Sequence, residues 1–247
     1  MNNYPLDILY EDDDIIAINK MAGLLMHPSW LTKKGTKNLA SLVKEYFQGA
    51  PVYTVHRLDR ATSGVVLIAK NKQSAQRLST DFMQKRISKT YLCVVRGYAA
   101  NLGVIDHCLQ YKHDKKAEPF ASKVALPQSA ITHYKCLAQV ELPISVGKWP
   151  AARYSLEEAR PLTGRKHQLR RHFKHILCPI VGDTNYGEGR HNRLFVEHLD
   201  SQRLLLMAVS IRFAHPSTGE AMLIKAPLPF EVVGLFERLG WAKHSVY

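Results

Sequence analysis

Apolar residues recur along the chain in short runs, and the polar breaks between them set out an alternation of strands and helices. Residues 6–10 and 15–19 predict two strands joined across the acidic stretch 11–14. Asn38 is placed to cap a helix whose apolar positions Leu39, Leu42, Val43, Tyr46 and Phe47 fall at helical spacing, and Gly49 and Pro51 end it. Residues 52–55 and 65–69 predict two further strands. A second helix is expected over 72–86, capped by Asn71, with Ala75, Leu78 and Phe82 on one face. A strand over 87–97 follows, and residues 103–123 read as irregular, with 112–116 as a solvated loop. Residues 131–140 alternate as a strand, 143–150 turn the chain back through Gly147 and two prolines, and 153–158 predict the returning strand. Residues 210–214 and 220–225 predict a hairpin, and 229–239 a closing amphipathic helix. With no internal repeat and no Gly/Ser-rich linker, the pattern predicts one α+β domain over residues 1–247, built on a mixed, largely antiparallel sheet.

Composition adds a polyanionic partner to this picture. The chain has 247 residues, 46% of them hydrophobic, and its 34 Lys and Arg against 21 Asp and Glu give a net charge of +13. Such an excess favours RNA, DNA or an anionic membrane surface. The charge concentrates at 165–175, RKHQLRRHFKH, which holds five Lys or Arg, three His and no acid. Read as a helix, Leu169, Phe173 and Ile176 form a packing stripe, and Lys166, Arg170 and Lys174 share another side suited to phosphates. A merely solvated face normally mixes both signs. His167, His172 and His175 raise the question of a metal, but cationic neighbours oppose one, and the expectation is no metal. No apolar run approaches the ~20 residues that span a bilayer, and the amino end lacks a basic region followed by an apolar core, so a cytoplasmic protein is expected. Cys93, Cys108, Cys136 and Cys178 form no Cys-x-x-Cys pair and read as reduced core thiols.

The candidate chemistry lies at 56–64, His-Arg-Leu-Asp-Arg-Ala-Thr-Ser-Gly, a connection between two predicted strands that sets one carboxylate, Asp59, between two arginines. In an extended segment Arg57 and Asp59 share a face, opposite His56 and Leu58. On spacing alone Asp59 either pairs with a flanking arginine, hydrogen-bonds its own turn, or is a reactive group.

HRLDRATSG resembles the signature of the RluA-type pseudouridine synthases, in which the aspartate is the catalytic nucleophile. The resemblance continues in order along the chain: ILYEDDDIIAINKMAGLLMHPS near the start, the Lys-x-Tyr of ISKTYLCVVRG, TGRKHQLR with PIVGD, and QRLLLMAVSIRF. It implies the pseudouridine synthase fold, a long mixed sheet flanked by helices with a central active-site cleft. It also implies isomerisation of uridine in RNA with neither metal nor cofactor. Asp59, Tyr91 and Arg165 would be catalytic, with Tyr91 stacking on the base and Arg165 pairing with Asp59. Arg57, His56 and Leu206 would contact substrate, Arg57 entering the base stack and Leu206 packing under the uracil. Two positions depart from the family pattern: Met21 stands for a proline and Met207 for a histidine. The motifs begin within ten residues of the amino end, so no separate RNA-binding domain is expected in front and RNA recognition falls to the catalytic body of a monomer. WPAARYSLEEARPLTGRKHQLRRHFKH most resembles members acting on tRNA, at the uridine of position 65, with ribosomal RNA as the alternative. An RNA-binding protein without activity would explain the charge but not the three matching positions. A glycosidase-like hydrolase would need a second paired carboxylate.

Overall fold

The structure is a computed structural model that describes residues 6–28, 35–110 and 126–245. Strands β1 (Ile8–Glu11) and β2 (Ile15–Lys20) form the first hairpin, followed by helix α1 (Leu39–Tyr46). Then come β3 (Tyr53–Thr54), β4 (Ser63–Ala69), α2 (Lys72–Met83), β5 (Ser88–Arg96) and β6 (Leu102–Asp106). The second half contains β7 (Ile131–Leu142), β8 (Ala152–Pro161), α3 (Gln168–His175), α4 (Gly189–Leu199), β9 (Leu206–Ala214), β10 (Ala221–Lys225) and α5 (Phe230–Arg238). The two predicted N-caps are in place. Asn38 and Ser41 satisfy each other's backbone amides at 3.1 Å, and Asn71 accepts from the Ser74 amide at 2.9 Å.

All ten strands belong to one mixed sheet in the order β1-β2-β4-β9-β5-β8-β7-β6, with β3 beside β4 and β10 beside β9. Strand β9 inserts between β4 and β5, parallel to the first and antiparallel to the second, and every other named pairing among the described residues is antiparallel. Alternation along the central strands divides the core in two. Tyr91, Cys93 and Val95 of β5 pack with α1, α2 and α3 on one face, and Leu92 and Val94 pack with α4 and α5 on the other. Leu206 and Ala208 of β9 join the first face, Met207 and Val209 the second. No helix among the described residues is long and apolar enough to cross a membrane.

Several expectations differ from the structure. Residues 102–106 form β6, an edge strand whose Leu102 and Val104 are exposed, where an irregular segment was expected; its outward apolar residues and Gly103 hide the alternation. Helix α4 has no counterpart in the predicted elements. Tyr46 lies exposed on α1 with its hydroxyl on Glu11, and Cys108 is exposed whereas Cys93 and Cys178 are core residues. The predicted loop 112–116 lies outside the described residues.

The acidic connection between β1 and β2 ties two hairpins together. Asp12 accepts from the Asp14 and Ile15 amides at 2.8 Å and from the Tyr10 hydroxyl at 2.8 Å, and its other contact is His215 Nε2 at 2.9 Å, before β10. Asp14 accepts from Asn71, Ser74 and Ser217. Asp12, Asp14 and His215 gather their ligand atoms closely enough to suggest a cation site, but donors of the protein itself already occupy the carboxylate oxygens.

Candidate active site

Asp59 lies in the loop from β3 to β4, and its own carbonyl accepts from the Thr62 amide at 3.1 Å, so a tight turn follows the carboxylate directly. That turn delivers the chain to Gly64, where β4 meets β9. Gly64 has φ +112, and a Cβ there would fall 2.1 Å from the Ala208 carbonyl oxygen, so the parallel contact demands glycine. The loop is fastened from below by Lys20. Its buried Nζ donates to the carbonyls of Met21 at 2.9 Å, Leu24 at 2.9 Å and Arg60 at 3.2 Å. Burial pulls its pKa down to about 7 against the attraction of Asp59, while three carbonyl acceptors match the three donors of an ammonium. Arg60 Nε donates to the Gly23 carbonyl at 3.0 Å and the Gly23 amide to the Arg60 carbonyl at 2.7 Å. The 20–24 segment is thus pinned to the Asp59 loop although Met21 within it is exposed.

Arg170, and not Arg165, contacts Asp59. Its Nη1 stands 3.4 Å from Asp59 Oδ2, while Nε and Nη2 clamp Asp183 at 2.7 and 2.9 Å. Arg165 is exposed and turns its Nε to the Ser129 carbonyl at 3.1 Å. The reason is the turn before α3. Gln168 accepts from the Thr163 hydroxyl and the Arg165 amide and donates to the Ile131 carbonyl and Thr132 hydroxyl, and His167 adopts a left-handed conformation with φ 56. The chain reverses there, so Arg165 leaves the site and Arg170 enters it from the first turn of the helix. Arg170 is accordingly buried and is removed from the phosphate-binding face expected for it. Lys174 is exposed and Lys166 half-buried, while the exposed side of α3 is completed by His175 and the half-exposed Arg171.

Burial alone would raise Asp183, but Arg170 and the amides of Tyr186 and Asn185 hold its carboxyl below the ordinary range. His167 brings Nε2 to 3.8 Å from Asp59 Oδ1 and hydrogen-bonds Tyr186 through Nδ1 at 3.0 Å. Burial, with Arg170 and Lys166 beside it, lowers its pKa against the attraction of Asp59. Tyr91 is buried, and burial together with the Asp59 charge raises its phenol well above the ordinary value. It shares the apolar cluster of Leu58, Leu169 and Leu206, which forms an apolar base next to the carboxylate. Met207 points to the opposite core and takes no part in this side of the sheet.

His56 and Arg57 go separate ways. His56 Nε2 accepts from the Leu67 amide at 2.8 Å and its ring stacks on Phe82, with burial and Lys89 pulling its pKa down to about 3. The bond to β4 occupies the acceptor nitrogen of the ring and fixes its orientation. Arg57 is exposed and forms no ion pair with Asp59 among the described residues. Lys20, His167, Asp183 and Tyr186 were not among the expected site residues, although Lys20, His167 and Asp183 lie inside the motifs that carry the resemblance.

On this open mixed sheet a loop carboxylate is thus set against a buried arginine and beside a buried tyrosine. The chain belongs to the RNA pseudouridylate synthase family, whose pattern it matches over residues 14–175. A tRNA pseudouridine synthase C of Vibrio parahaemolyticus is 45% identical over 98% of both chains. One from Haemophilus ducreyi is 46% identical over 96% of each, and one from Yersinia pestis 45% identical over 96% of this chain and 92% of its own. Among solved structures, human RNA pseudouridylate synthase domain containing 1 superposes with a TM-score of 0.69 at 26% identity, covering 92% of this chain and 84% of its own.

Proposed function

We propose that the protein converts a uridine of tRNA to pseudouridine, at position 65, as a single catalytic unit. The 45% identity to tRNA pseudouridine synthases C along nearly the whole chain supports tRNA as the substrate. The observation that carries the site assignment is Asp59, a partly exposed carboxylate that is ion-paired to a buried arginine. Isomerisation breaks the bond from C1' to N1, turns the base and joins C1' to C5; the proton lost at C5 balances the one gained at N1. No co-reactant enters that balance. Asp59 adds to the ribose or acts on its C2' proton, and the Arg170 guanidinium stands beside it while the freed uracilate is held. Tyr91, a neutral phenol, stacks on the base and carries a proton as the base turns. Leu206 and Leu58 supply the apolar floor. Arg57, exposed at the mouth, fills the gap left when the uridine is extruded, a step that costs a few kcal/mol in structured RNA.

Asp59→Asn is expected to lower turnover by about 10³-fold or more while leaving tRNA affinity close to that of the parent, because the amide keeps the shape but not the nucleophile. Incubation with tRNA transcripts, followed by nucleoside analysis, reads the result. Substantial pseudouridine from the variant would overturn the assignment, and activity on ribosomal RNA but not tRNA would move the substrate.

A further inference from the structure

The end of the sheet remote from Asp59 carries cationic and aromatic side chains that the reaction does not use. Strands β7 and β8 run into a tight hairpin tip, closed by Val146 N to Trp149 O at 2.9 Å and Trp149 N to Val146 O at 3.2 Å. Gly147 in that turn has φ +61, and a Cβ there would lie 2.6 Å from Arg190 Nη1, so the guanidinium is seated directly under the turn. A cleft of about 250 Å³ separates the tip from α4; Ser145, Arg190, Arg193, Glu197 and His198 are among its walls. Arg190 and Arg193 are exposed, and neither forms an ion pair or a hydrogen bond among the described residues. Beside them Trp149 is 64% exposed, with Lys148 Nζ 5.2 Å from its ring centroid.

A solvated surface does not account for this grouping. The two arginines of the cleft meet one lining carboxylate, Glu197, and beside the cleft Lys148 adds a third cation next to a mostly exposed indole. Aromatic faces among cations are what proteins use to hold a nucleobase and its phosphate, since every base has a π-face that can stack on an aromatic side chain. We propose that the hairpin tip and α4 form a second RNA contact, with a backbone phosphate in the cleft against Arg190 and Arg193 and an unpaired base stacked on Trp149. The proposal rests on the RNA-modifying reading above. From Ala159, opposite Tyr91, to Ala152 the strand covers seven steps, about 23 Å at ~3.3 Å per residue, so a single RNA reaches both places only if it spans the sheet. The tip would then select large, folded RNA over short stem-loops.

The test compares a full tRNA transcript with a stem-loop that carries the same target uridine but is too short to span the sheet. In the Arg190→Gln/Arg193→Gln variant the ratio of Kd for tRNA to Kd for the stem-loop should rise about tenfold, and the slope of log K against log salt for tRNA should flatten by about 0.7–0.9 per lost phosphate contact. Trp149→Ala should raise the same ratio, and Trp149→Phe should restore most of it, which a merely structural tryptophan would not require. An unchanged ratio and salt slope in a variant with parental Tm overturns the proposal. So does an equal loss on both RNAs, which would mean the change is felt at the catalytic end. If the parent binds tRNA through the tip but makes no pseudouridine in it, the catalytic reading fails and the contact stands.

Discussion

Arg170 reaches Asp59 and Asp183 at once, and the two contacts have different weights. With its side chain 7% exposed and Asp183 fully buried, removing the guanidinium strands a carboxylate in the core, at a cost of about 3–5 kcal/mol. Arg170→Ala is therefore expected to lose both stability and activity, whereas Arg165→Ala, which gives up one exposed hydrogen bond, should lose less than about 1 kcal/mol of stability. Urea unfolding of the two variants separates them, and equal losses would contradict the assignment of the buried partner. Glu157 is a second buried carboxyl and has no such cation against it: among the described residues neither enclosed oxygen has a partner in hydrogen-bonding geometry, and it lies opposite Cys93 and Cys136 and near Cys178 and Tyr134. Burial raises its pKa to about 7, against a smaller opposing pull from Ser155 and Cys136. Below the unfolded value of 4.5 the group is protonated in both states and contributes nothing. Between there and about 7 the unfolded chain releases its proton first, so stability falls with rising pH by about 3 kcal/mol in all and is flat above. Glu157→Gln should gain on the parent across that window; an offset independent of pH would show that ionisation is not its source.

The segment before α1 and the catalytic loop act together through one side chain. Lys20 supplies three hydrogen bonds to carbonyls, and Lys20→Met should cost about 2–4 kcal/mol and lower turnover in proportion to how far the Asp59 loop loosens. Amide hydrogen exchange at 57–64 reads that loosening directly, and protection equal to the parent's would show that the loop holds its own shape. Elements with strong local signals were legible in the chain: α1 and α2 from their Asn caps and apolar faces, and the β9–β10 hairpin from its alternation. Helix α4 was not, because Leu194, Phe195 and Leu199 are its only buried positions amid charged and exposed neighbours. Asp59 stood out through its motif. The arginine that faces it did not, because Lys166, Arg170 and Lys174 share a face only if the helix already runs at 166. It begins at Gln168, after a left-handed residue, and the buried Asp183 draws Arg170 inward. Periodicity reports where a helix is amphipathic, and it carries no trace of a carboxylate thirteen residues further on.

Over the whole molecule, a net charge of +13 is spread so that α3 presents Arg171, Lys174 and His175 outward near the catalytic end. Arg171→Ala with Lys174→Ala should weaken binding to different RNAs alike and flatten the salt slope by about 0.7–0.9 per lost contact, measured by filter binding from low to moderate salt. A slope equal to the parent's would leave that face merely solvated. The order of the sheet also has a consequence for synthesis. Strand β9 is the wedge between β2–β4 on one side and β5–β8–β7 on the other, yet it is encoded after both. A nascent chain that has emerged only as far as residue 200 holds two half-sheets whose facing edges, β4 and β5, have lost the strand that belongs between them, and open edges of this kind invite pairing with other chains. The loop that bears Asp59 is therefore made before the strand that seals it, and two open strand edges persist until β9 arrives.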